Sequence, residues 1–335
     1  MSSSPRPGDR LPAEATLIDL HPEPADMARL VREGLARTPK QLPAWFLYDT
    51  AGSHLFDAIC EQPEYTLTRT ENDLLERLGP ELAAALGTGV LVEFGAGNGR
   101  KVRPLLEAGR QAAYVALDIS AEHLAQACEN LRQHHPGVPI LGICCDYSVL
   151  EALPDHPLLR QPRIGFYPGS SLGNFEPAEA GRLLRRFGHL LGDGSRLLIG
   201  IDQPKATARL EAAYNDAAGW SAAFALNLLR RLNRELDGDF DPATFTYRAH
   251  WEEERSRIVM ALESRRPQSV RVAGEVIRFD AEEPLLTEIS VKYGPEAFLA
   301  LARRAGWRPL GRWSDTADDR SLHQRARADW KGTGT

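Results

Sequence analysis

Five short apolar runs constrain this chain more than any other feature: "GVLVEFG" (89–95), "AYVALDI" (113–119), "PILGICCDY" (139–147), "RIGFYPGSSLGN" (163–174) and "SRLLIGID" (195–202). Each is apolar on both faces of an extended strand, which suits a sheet covered on both sides. Helical segments alternate with them. "ENDLLERLGPELAAAL" precedes the first run, a helix from Lys101 precedes the second, "SAEHLAQACENLRQ" with Ser120 as N-cap precedes the third, and a helix from Ala178 to Leu191 precedes the fifth. Strands alternating with helices predict an α/β, doubly wound, Rossmann-like parallel sheet.

The texture changes after Asp202. A long helical stretch, "WSAAFALNLLRRLNRELDG", leads into "FTYRAHWEEERSRIVMALES", "SVRVAGEVIRFD" and "LLTEISVKY", whose alternation predicts hairpins instead of crossovers. The helix "PEAFLALARRAG" and the strand "WRPLGRWSD" then return to the parallel pattern. The expected organisation is a flexible tail at 1–17, a mixed α+β domain from 18–69 and 205–292, and the sheet domain from 70–204 and 293–335. The Ser- and Pro-rich opening carries no apolar period, hence the tail.

Composition excludes several classes. With 335 residues, 43% of them hydrophobic, the chain can bury a large core. A net charge of −6 lacks the basic excess expected of a nucleic-acid partner, and Arg185–Arg186 and Arg230–Arg231 read as solvated helix faces. Cys60, Cys128, Cys144 and Cys145 have no metal-ligand spacing, so neither zinc nor structural disulfides are expected. No apolar segment approaches the roughly 20 residues that span a bilayer, and no secretory signal is evident. A cytoplasmic monomer without membrane partners is the expectation.

Gly95, Gly97 and Gly99 stand where the first run turns toward a helix, and glycine there permits positive φ and close approach of a ligand. The spacing is GxGxG, which a tight turn without a ligand would also satisfy. Asp118 ends the second strand, where a carboxylate accepts from ribose hydroxyls; this fits NAD as well as S-adenosylmethionine. Asp146, ending the third strand, is placed to accept from an adenine amine, with Tyr147 flanking the ring. Glu93 suits a sulfonium or a loop amide and is awkward beside a pyrophosphate. Lys101 fits a carboxylate or a phosphate equally. Together these favour a methyl-donor cradle over a dinucleotide site, with an NAD-dependent oxidoreductase as the rival class and a non-catalytic binding module as a third.

The acceptor side is read from three stretches. "PGSSLGNF" sits at a strand end, where open α/β sheets place substrates, and its Asn174 can both donate and accept. Glu288 and Ser290 share one face of a strand, fit either for gripping a polar heterocycle or for forming a wet edge. "PEYTLTRTE" offers Tyr65, Arg69 and Glu71, although Thr68 and Glu71 also have the spacing of a helix capping box.

Read together, "YDTAGSHLFDAICEQPEYTLTRTE", "EFGAGNGRK", "PGSSLGNFEP", "RIVMAL" and "LLTEISVKY" resemble the histidine Nα-methyltransferases of ergothioneine biosynthesis, class I methyltransferases that make hercynine. The similarity runs from about Leu42 to Trp313. It implies L-histidine as the small-molecule substrate, S-adenosylmethionine as methyl donor, and no metal. It also implies that Tyr65, Gly169, Asn174 and Tyr214 surround the amino acid and that Met260, Glu288 and Ser290 approach the imidazole. The donor positions carried over are Tyr48, Gly95, Lys101, Asp118, Asp146 and Tyr147, beside Glu93 and Gly97 from the loop itself. Asn174 and Tyr214 would position the reacting groups, with no conventional acid or base. The related alternative is a methyltransferase of another aromatic amino acid (tryptophan, tyrosine or prenylated tryptophan), against which the acidic Glu288 argues.

Overall fold

A computed structural model describes residues 16–20 and 24–327. Fifteen of the expected tail positions, 1–15, lie outside the described residues, as do 328–335. Contacts divide the chain into two units. One holds residues 67–204, 292–327 and the first strand; the other holds 24–66 and 205–291.

The first unit is built on an eight-stranded sheet in the order Leu17–Asp19, Ile140–Cys144, Gln111–Asp118, Gly89–Phe94, Arg163–Tyr167, Arg196–Asp202, Arg320–Arg327, Trp307–Ser314. Its first six strands run parallel. Gly89–Phe94 is buried at every position, Glu93 included, as suits a run whose other residues are all apolar. Chain order reverses on either side of this strand, since Gln111–Asp118 flanks it on one edge and Arg163–Tyr167 on the other. Such a reversal opens a crevice at the carboxyl ends of the strands. Leu74, Leu75, Leu82 and Leu86 of the helix Thr66–Leu86 pack with Leu91, Tyr114, Leu131 and Phe166 in one core cluster.

Four local expectations are corrected. Arg320–Arg327 inserts antiparallel between Arg196–Asp202 and Trp307–Ser314, so the sheet is mixed and does not close with the segment after Trp307. Its sequence, RSLHQRAR, has no apolar period, yet Arg320, Ser321, His323, Gln324 and Arg325 are all buried. Leu17–Asp19 pairs with Ile140–Cys144 and so belongs to the sheet, not to a tail or to the second unit; buried Ile18 anchors it there. The helix expected from Lys101 is short, Arg103–Glu107, after a turn. Ser120 precedes the helix Ala121–His134 as expected but makes no side-chain cap: its Oγ is buried without a partner among the described residues, while its N–H donates to Asp118 Oδ1.

The second unit carries a four-stranded sheet in the order Lys40–Gln41, Pro284–Val291, Arg257–Ser264, Phe245–Glu252, and a separate hairpin of Gln268–Val272 with Glu275–Phe279. Helices Thr50–Cys60 and Trp220–Glu235 contact one another. The "YDTAGS" stretch has a structural explanation here. Asp49 Oδ1 caps the first of these helices by accepting from Gly52 N at 2.7 Å, and it also accepts from Asn227 Nδ2 at 2.7 Å on the second. A side chain at Gly52 would stand 1.8 Å from the Leu47 carbonyl oxygen.

The chain leaves the sheet unit after Pro204, two residues beyond Asp202, and returns at Lys292. Asp202 and Lys292 form a buried ion pair, Lys292 Nζ to Asp202 Oδ2 at 2.8 Å, and Tyr293 N donates to Asp202 O at 3.1 Å. The pair fixes both crossings of the chain at one point of the sheet unit.

Candidate active site

At the carboxyl end of Gly89–Phe94 the backbone turns through three left-handed glycines, Gly95 (φ 76°), Gly97 (φ 54°) and Gly99 (φ 70°). They differ in why glycine is needed. A Cβ at Gly99 would lie 2.9 Å from Leu131, so that glycine lets a helix approach; at Gly97 nothing lies within 4 Å, so its backbone is open. Gly97 N donates to Asp118 Oδ2 at 2.8 Å, which ties the loop to the end of the neighbouring strand. With Ser120 N on Oδ1, Asp118 uses two of about four acceptor sites, and the remainder suit hydroxyl donors. Burial pushes its pKa up despite these bonds.

Glu93 is wholly buried and accepts from Tyr114 Oη at 2.6 Å through Oε2, while Oε1 has no partner among the described residues. Burial raises its pKa to about 8. Burial thus favours the neutral carboxyl, and a cation placed beside Oε1 would favour the charged one. Asp146 Oδ1 accepts from Ser148 N at 2.8 Å, shaping the turn after Ile140–Cys144, and Tyr147 next to it stands edge-on to Tyr167 and Phe94. An open glycine backbone, a carboxylate with spare acceptor sites and an orphaned buried oxygen fit a nucleoside carrying a positive charge.

The loop Pro168–Asn174 has the strain that functional sites store. Gly169 (φ 86°) and Ser170 (φ 57°) are both left-handed, and Ser170 Oγ is buried with no partner among the described residues. Asn174 ends the short 3-10 turn Ser171–Asn174. Beneath the loop lies Glu71, 0% exposed. Its carboxylate accepts from Gly169 N through both oxygens, at 3.0 and 2.8 Å, and pairs with Lys101 Nζ at 2.9 Å and Arg320 Nη2 at 3.0 Å. Burial alone would raise its pKa, but Arg320 and Lys101 outweigh burial and hold it at about 2. The capping-box reading of Thr68 and Glu71 fails, because the helix begins at Thr66 and Glu71 faces the sheet instead of the helix terminus.

The second unit gathers the other expected residues. Tyr214 Oη lies 2.8 Å from Ser290 Oγ, and the Tyr65 and Tyr214 rings meet edge to face at 5.9 Å. Glu288 sits opposite Met260 in the ladder of Pro284–Val291 with Arg257–Ser264, which puts their side chains on one face, and Ser290 two residues on shares it. A bulge between Leu286 and Glu288 turns this end of the strand. Tyr247 was missed from sequence. Its Oη donates to Tyr214 O at 3.0 Å, and burial with the nearby Glu288 charge pushes its pKa up. Tyr48 also lies in this unit, half-buried and edge-on to Phe56 and Phe224.

A Ser–His pair on Arg320–Arg327 has the makings of a nucleophile and is not one. Arg325 donates to His323 Nδ1 at 3.0 Å, so Nε2 carries the proton toward Ser321 Oγ at 2.8 Å and cannot accept from it. Burial and Arg325 drop the His323 pKa to about 3, which keeps the ring neutral.

The family model described as histidine-specific, SAM-dependent methyltransferase matches residues 27–327. The chain belongs to that family. It is 40% identical over 302 residues to a histidine N-alpha-methyltransferase of Mycolicibacterium smegmatis, covering 88% of this chain and 93% of that protein. Its identity to the Mycobacterium tuberculosis protein of the same name is 37%, with the same coverage. A 4-dimethylallyltryptophan N-methyltransferase of Arthroderma benhamiae is 28% identical, covering 88% and 91% of the two chains. As a histidine-specific methyltransferase, the chain draws its methyl groups from S-adenosylmethionine. The dinucleotide reading is set aside.

Proposed function

We propose that the protein methylates the α-amine of L-histidine three times to give hercynine. The observation that carries the substrate side is the grouping of Tyr65, Tyr214 and Ser290 with Glu288 and Met260 on one strand face. A carboxylate and a hydroxyl two residues apart offer an imidazole two polar partners, while Met260 bounds its width. An indole has a single N–H and a larger outline, and fits such a face less well. The stronger identity to the two histidine enzymes than to the tryptophan-directed one supports the same choice.

S-adenosylmethionine supplies an activated methyl group on a sulfonium. In this reading Tyr48, Gly95, Gly97, Lys101, Asp118, Asp146 and Tyr147 hold the donor, with Glu93 behind the loop. Gly169, Asn174 and Tyr214 orient the amino acid so that the lone pair of a neutral amine lies in line with the methyl. Rate then comes from positioning and exclusion of water, and each amine proton passes to solvent between rounds. No residue acts as a strong base. The protein works as a cytoplasmic monomer on a small molecule, without nucleic acid or membrane.

The test is kcat/KM for histidine, tryptophan and tyrosine with purified protein. A preference for histidine of at least about a hundredfold is expected, because a site built for two polar ring atoms rejects a ligand that leaves one unpaired. Comparable values for tryptophan would refute the assignment of Glu288 and Ser290.

A further inference from the structure

The buried carboxylate of Glu71 touches both the lysine assigned to the donor and the backbone of the loop assigned to the acceptor. Lys101 Nζ stands 2.9 Å from Oε2, and the same carboxylate takes the Gly169 N–H with both oxygens. Lys101 Nζ itself lies 3.1 Å from where a Gly169 Cβ would be. Arg320 holds the far side of Oε1 at 3.0 Å, from a strand without a part in either site. Gly200 completes the arrangement, since a Cβ there would fall 2.0 Å from Oε1. Ordinary helix capping needs none of this, and a carboxylate kept ionised at 0% exposure is expensive unless its partners are fixed.

We propose that Glu71 is a positioning residue that couples the two halves of the reaction. It holds the Lys101 ammonium where a donor carboxylate can share it, and it fixes the left-handed Gly169–Ser170 turn from which Asn174 projects. Any shift of Lys101 toward a bound donor is felt by the carboxylate and therefore by Gly169. Donor and histidine consequently tighten each other's binding through one side chain, reciprocally. The inference rests on the placement of Lys101 in the donor site.

Calorimetric titration of S-adenosylhomocysteine, with and without saturating L-histidine, tests it in a double-mutant cycle of Glu71→Gln and Lys101→Met. Glu71→Gln is expected to weaken binding about tenfold, the scale of one charge-assisted hydrogen bond, and to abolish the effect of histidine. In the Lys101→Met background it should weaken binding no further. Equal losses in both backgrounds, or a lowered melting temperature with affinity within about twofold of wild type, overturn the proposal and leave Glu71 a purely structural group. If Lys101→Met itself leaves affinity unchanged, the donor placement of Lys101 falls and the coupling falls with it; if Lys101→Met weakens binding and Glu71→Gln does not, only the coupling falls. Should Glu71→Gln fail to fold, Gly200→Ala serves in its place. It keeps every charge and displaces the carboxylate from Gly169, so loss of the histidine effect supports the coupling and its retention refutes it.

Discussion

Tyr214 Oη and Ser290 Oγ lie 2.8 Å apart although 76 residues separate them in the chain. One comes from the end of the helix Thr207–Tyr214, the other from the bulged strand Pro284–Val291. Tyr247 holds the tyrosine from its backbone side, and the whole arrangement places two polar groups beside Glu288.

Glu288→Ala should cost about 1.5–3 kcal/mol of binding for histidine, as expected for a lost hydrogen bond to a charged group. The loss should appear as a raised KM with kcat largely preserved, since the ring is remote from the reacting amine. An unchanged KM for histidine would remove Glu288 from the site.

Tyr247→Phe deletes the donor to Tyr214 O. Stability should fall by about 1 kcal/mol, and kcat/KM for histidine should fall further than the melting temperature suggests, because Tyr214 loses its fixed position. Steady-state kinetics beside a thermal melt separates the two effects.

The glycines of the loop should divide. Gly97→Ala meets open space, so beyond the cost of about 1 kcal/mol for a left-handed alanine its effect should be on donor affinity. Gly99→Ala drives a methyl group into Leu131 and should destabilise the protein itself. Calorimetric donor binding and thermal melts on both variants distinguish these outcomes.

Two buried acids give stability opposite pH dependences. Glu71 has a folded pKa of about 2, below the ordinary 4.5 of a glutamate, so its contribution is present above 4.5 and is lost as pH falls toward 2. Glu93 has a folded pKa of about 8, so the unfolded chain binds fewer protons than the native one between 4.5 and 8, and stability declines as pH rises through that window. The decline should be on the order of 2–4 kcal/mol, and Glu93→Gln should abolish it in melts from pH 5 to 8.

The parallel half of the fold was legible because its strands are buried on both faces, which writes them as apolar runs such as Gly89–Phe94. The strand Arg320–Arg327 was not legible. Its Arg320 is buried against Glu71 and its His323 against Ser321 and Arg325, so charge pairing does there what apolar side chains do elsewhere. In the site, the glycine loop and the strand-end carboxylates could be read from position along the sheet. Glu71 was hidden because its partners lie far along the chain, 98 residues away for Gly169, and its spacing to Thr68 imitated a cap. Tyr247 was visible only as one member of the alternation in FTYRAHW, which says which face a residue is on and not what it touches.

Lys292→Met should cost about 3–5 kcal/mol, since it leaves the Asp202 carboxylate buried without its cation at the crossing of the chain between units. Chemical denaturation gives the value directly.

The most direct test of the function is tandem mass spectrometry of the product formed from L-histidine and methyl-labelled S-adenosylmethionine. Three labelled methyl groups on the α-nitrogen with an unmodified imidazole are predicted. Label on a ring nitrogen, or histidine recovered unchanged while another amino acid is methylated, would contradict the account.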